Sequence, residues 1–198
     1  MTFELPNDYD KIFRDDIGEW RNDALLDYVT NKLSFYADGY LHGANALVDQ
    51  CYQDHTLNDI LIYPMVFLYR QYIELRLKEI IFGLKYCLGD DPSFPKHHKI
   101  DILWKDFKFL YKSIGEENNS DVLNNGGRLI NELSQIDPLS MAFRYPVDKD
   151  GNDTIKLKRI SISNLQSVIN KLANLLDAIS DQVAYYKDIK NDMYRDWE

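Results

Sequence analysis

The chain has 198 residues, 45% of them hydrophobic and 28% charged, with 14 Tyr, 9 Phe and 3 Trp. That is room for one ordinary domain with a core, and it excludes a disordered chain, which cannot bury enough apolar surface to offset its ordering entropy. Lys plus Arg number 23 and Asp plus Glu 32, a formal charge of −9, so a nucleic-acid partner would need a local basic patch working against the overall field.

Residues 1–23 carry three basic and seven acidic side chains, and residues 1–20 read as an acidic N-terminal arm. Residues 1–10 lack the basic and apolar regions of a secretory leader. No apolar run approaches the roughly 18 residues that span a bilayer. The expectation is a soluble, cytoplasmic, single-domain protein over residues 1–198, with no membrane contact.

Apolar side chains then recur at Leu26, Val29, Leu33, Tyr36, Tyr40, Ala44, Leu47 and Cys51, steps of three and four that predict one long helix. Gly39 and Gly43 lie inside it, where they suit close approach of a neighbour or a bend. A second helix is predicted from about Tyr63-Pro64, because proline is tolerated in a first turn, to Leu88, with Gly89 as its stop. It is apolar on most of its circumference, as a central helix is. One polar stripe crosses it, Arg70, Glu74 and Lys78: an exposed ladder or a buried ionic group.

Pro92 and Pro95 break the chain before a third helix over residues 100–114. A weaker fourth helix is predicted over residues 121–136, with Gly126-Gly127 counting against its first half, and Asp137-Pro138 ends it. Residues 143–147 and 154–160 flank an Asp-Gly turn, and Ile155 and Leu157 alternate with Lys156 and Lys158, a hairpin pattern. Ser163 reads as the N-cap of a long last helix. The predicted fold is all-α: a five-helix, mostly antiparallel bundle with one small β-hairpin insertion, residues 142–160, between the fourth and fifth helices.

Phosphate loops, dinucleotide fingerprints, nucleophile elbows and the HExxH zinc motif are absent from the sequence. Cys51 and His55 share a helix face but lack the further ligands of a closed zinc site. Neither a metal nor a cofactor is expected, and Cys51 reads as a core residue.

One constellation remains: Arg70, then Glu74-Leu75 and Lys78 on one helix, followed after a loop by His98-Lys99-Ile100. It resembles the helical core of HEPN-like domains, the higher-eukaryote and prokaryote nucleotide-binding family. Residues 137–138 and 143–146, with the Asp-Gly turn, look like a feature of one bacterial branch. The resemblance implies a cytoplasmic, dimeric, RNA-associated module of a bacterial defence or toxin–antitoxin system. Many members are metal-independent ribonucleases with four to six residues between an arginine and a following histidine. No arginine stands five to seven positions before His42, His55, His97 or His98, so that pair is carried onto no residue here.

The reading is therefore a non-catalytic module that binds a partner protein, RNA or a second copy of itself. Alternatives are a ribonuclease with a displaced pair, such as Arg70 or Arg144 with His98, and a structural subunit of a larger complex. Arg70, Glu74 and His98 form the candidate polar pocket, although antiparallel packing would set His98 nearer Lys85 than Arg70. Arg144, Lys156, Lys158 and Arg159 form the candidate recognition edge.

Overall fold

The structure, a computed structural model, describes residues 5–13, 20–26, 31–117 and 119–195. The chain divides into two compact units, residues 1–30 and 31–198. In the first, the Asn7 and Asp10 side chains close a turn on the backbone N–H groups of Tyr9 and Asn7, and Trp20–Asn22 forms a single 3-10 turn.

Among the described residues the second unit has five α-helices: α1 (Lys32–Gln53), α2 (Asn58–Leu88), α3 (Ile100–Ser113), α4 (Asp121–Ile136) and α5 (Ile162–Arg195). Among the described residues none is long and apolar enough to cross a membrane. α2 packs against α1, α3 and α5, and α3 against α4. The main core gathers on α2: Met65, Tyr69, Tyr72, Ile73, Leu77, Ile80, Ile81 and Leu84 are all at most 1% exposed. Cys51 joins this core from α1, and burial raises its thiol pKa.

Several predicted boundaries shift. α1 begins at Lys32, where the Asn31 side chain accepts from the Ser34 N–H, so Leu26 lies outside it. Val29 falls outside the described residues. The buried line of α1 runs through Ala37, Ala44, Val48 and Cys51 and leaves Tyr36 exposed.

α2 starts six residues before Pro64. The Asp54 side chain takes the N–H and hydroxyl of Thr56, and the 3-10 turn so fixed, His55–Leu57, runs straight into α2. Pro64 thus leaves a carbonyl one turn back without its helical N–H. That carbonyl belongs to Ile60, a residue 64% exposed, where water can serve it.

The glycine pairs also reverse their expected roles. A Cβ on Gly39 would meet nothing within 4 Å, and one on Gly43 only Leu68 at an ordinary 3.5 Å. The close approach lies on α4 instead. A Cβ on Gly127 would fall 2.6 Å from Trp104 Nε1, and one on Gly126 2.8 Å from Leu175 Cδ2. The two glycines that weaken α4 locally are what admits the Trp104 indole.

The β-hairpin is not formed. Among the described residues no strand occurs, and a single antiparallel bridge, Val147 to Asp153, pairs the end of the first arm with the turn. The first arm curls instead: the Arg144 and Tyr145 N–H groups both bond to the Met141 carbonyl. Pro146 has no N–H to offer a ladder, and the Thr154 hydroxyl sits among the carbonyls of Ala142, Tyr145 and Pro146. The rung beside the turn is therefore the last. α5 is capped by Ser161 rather than Ser163, its hydroxyl accepting from the Asn164 N–H.

Candidate functional site

α2 carries Arg70, Glu74 and Lys78 one turn apart, so their side chains line one strip of the helix. The strip is buried: Arg70 is 0%, Glu74 2% and Lys78 3% exposed. Arg70 spends its guanidinium in three directions. Nη1 donates to Glu74 Oε2 at 3.1 Å, Nη2 to the His98 carbonyl at 2.8 Å, and Nε to the Asp137 carbonyl at 3.1 Å. Lys78 donates to Glu74 Oε1 at 2.9 Å and lies over the Phe94 ring.

Asp137, at the C-terminal end of α4, is the second anion. Its Oδ1 accepts from the N–H groups of Met141 and Ala142, and Oδ2 faces Arg70 Nε at 3.4 Å. The loop that makes this possible holds Ser140 in the left-handed region, φ 60°, and Gln71 secures its hydroxyl. Two buried cations thus meet two buried anions. A buried charge left alone costs several kcal/mol, about 3–5 when one partner is removed, which explains why the four occur together.

His98 closes the group from outside. Its ring is 66% exposed, with Nδ1 2.7 Å from Glu74 Oε1. An ionised carboxylate only accepts, so Nδ1 is the donor in this contact. Burial pushes the Glu74 carboxyl up, but hydrogen bonds and charge from Lys78 and His98 outweigh it and leave the group below its ordinary value.

The structure therefore brings Arg70, Glu74 and His98 together: the Arg70 guanidinium and the His98 ring both donate to the Glu74 carboxylate, and the His98 carbonyl accepts from Arg70. Lys85, expected beside His98, bonds Ser93 instead. Asp137 was not among the sequence candidates. One signal could have found it: a carboxylate in the last turn of a helix opposes the partial charge there, so it calls for another partner.

A second ionic group, unmarked in the sequence reading, forms on another face of the same stretch of α2. Arg76 is 4% exposed and meets Asp38 of α1 at 2.5 Å, Glu79 at 2.6 Å and Asp177 of α5 at 2.9 Å. The Tyr72 hydroxyl also donates to Asp177. Burial, reinforced by that carboxylate, raises the Tyr72 phenol far above its usual range. This group clamps three helices.

The candidate edge divides. Arg144 is committed, donating to the Ser140 carbonyl at 2.6 Å and lying over Phe67 and Tyr145. Lys156, Lys158 and Arg159 are exposed. Lys158 and Arg159 line a cleft of about 670 Å³, whereas Lys156 does not. Among the described residues no cluster of three or more His, Cys, Asp or Glu could hold a metal. In comparison with known proteins, no family model, curated protein or solved structure matches this chain.

Proposed function

We propose that this chain is a non-catalytic HEPN-like module, its five helices a mostly antiparallel bundle, acting in a bacterial defence or toxin–antitoxin system by binding a partner. The observation that supports a non-catalytic role is the state of Arg70. It is 0% exposed and each of its three nitrogens donates to a protein acceptor, so the guanidinium is not presented to a scissile phosphate beside the His98 ring. The family kinship rests on the sequence resemblance alone.

The exposed Lys156, Lys158 and Arg159 are the contact points for the partner. A protein partner is favoured over RNA by the net charge of −9, since RNA affinity draws mainly on phosphate neutralisation. Incubation of the purified chain with end-labelled RNA tests the reading. No cleavage is expected from the wild type or from His98→Ala. Cleavage by the wild type that His98→Ala abolishes would replace this proposal with the ribonuclease alternative.

A further inference from the structure

The cleft of about 670 Å³ beside residues 155–163 takes no part in either ionic group. One wall comes from the end of α1 and the start of α2, the other from the segment that leads into α5. Lys158 and Arg159 stand side by side on the second wall, exposed and, among the described residues, without a hydrogen bond or ion pair. Across from them His55 has Nδ1 on the Cys51 carbonyl at 2.9 Å, which leaves Nε2 for a ligand. Asn58 also lines the cleft, and its Oδ1 is buried with no donor. The Tyr63 ring and the side chains of Phe143 and Ile155 supply an apolar surface between these polar groups. Among the described residues one carboxylate lines the cleft, Asp59, and it sits in the first turn of α2, where it offsets the helix N-terminal charge.

We propose that this cleft is a binding site for a small organic phosphate. The phosphoryl group lies on Lys158 and Arg159, and the apolar body rests against Tyr63 and Phe143. An arginine fork, a lysine point charge and the Ser161 and Ser163 hydroxyls at the same wall offer more donors than a carboxylate uses, and they suit the three terminal oxygens of a phosphate monoester. The volume falls within the range of small-molecule sites. The claim goes beyond the partner-binding reading, and Lys156 separates the two: it belongs to the edge but not to the cleft.

The test is calorimetric titration of the full chain with phenyl phosphate, inorganic phosphate and benzoate. Phenyl phosphate is expected to saturate one site, at least about tenfold tighter than either of the others. K158A/R159A should weaken it by at least about tenfold with helicity unchanged, and Lys156→Ala should leave it as it was. Tyr63→Ala should bring phenyl phosphate down to the affinity of inorganic phosphate. Benzoate binding as tightly as phenyl phosphate would overturn the phosphate assignment. Absence of saturable phenyl phosphate binding at millimolar concentration, or equal loss in Lys156→Ala and K158A/R159A, would overturn the site. Neither result touches the partner-binding reading, which fails separately if wild-type RNA cleavage depends on His98.

Discussion

Arg70 and Asp137 face each other at 3.4 Å across 67 residues of chain, each almost wholly out of water. Their contact ties the middle of α2 to the end of α4, two helices that are also linked through α3 and α5. Asp137→Ala removes the anion and also frees the N–H groups of Met141 and Ala142. The expected loss is about 3–5 kcal/mol, read from urea unfolding. A loss below about 1 kcal/mol would mean that the pair behaves like an exposed one.

Glu74 makes stability depend on acid. Its folded pKa lies below the ordinary 4.5, so the unfolded chain binds the proton more readily. The contribution is therefore complete above the unfolded value and is lost as the pH falls through the folded one. Stability measured at descending pH below about 4.5 should drop less steeply in Glu74→Gln than in the wild type, although the variant is less stable at neutral pH. Parallel slopes would contradict the arrangement of Lys78 and His98 on this carboxylate.

Two glycine-to-alanine changes should have opposite signs. Gly39 is a helical residue with nothing within 4 Å of a new Cβ, so Gly39→Ala should stabilise by up to about 1 kcal/mol. Gly127→Ala drives a methyl to 2.6 Å from Trp104 Nε1, and the overpacking should cost about 1–3 kcal/mol. Thermal melts of the two variants decide it. A stabilised Gly127→Ala would show that the indole can move aside.

Arg76→Lys keeps the charge but not the fork that reaches Asp38, Glu79 and Asp177 from separate nitrogens. A lysine presents a point charge in its place. Chemical denaturation should show a loss on the order of 2 kcal/mol, and an unchanged midpoint would assign the clamp to packing alone.

The helical character of the chain was legible because apolar spacing alone reports it. α4 matches its predicted range and α3 differs by one residue, since a proline-containing loop, a capping serine and a clear stripe mark their ends. The early start of α2 was not legible. It depends on Asp54 and Thr56 folding a short turn into the helix, a local hydrogen bond that outweighs the proline signal. The hairpin failed for a similar reason, because alternation reports side-chain placement and says nothing of which N–H groups remain free for a ladder. Of the candidate pocket, the strip of three on α2 could be read from spacing. The Asp137 contribution could not, as it arises from a turn around Ser140 that no periodicity encodes.

The acceptors of Arg70 also arrive in a fixed order during synthesis. Glu74 follows within a turn, the His98 carbonyl later, and Asp137 last, 67 residues behind. A growing polypeptide leaves the ribosome N-terminus first. Until Asp137 has cleared the exit tunnel, closing the core would strand a cation short of an anion, so the nascent helix gains by staying wet. Translation arrested before that point would release a product with its most apolar helix open, a natural client for chaperones and proteases.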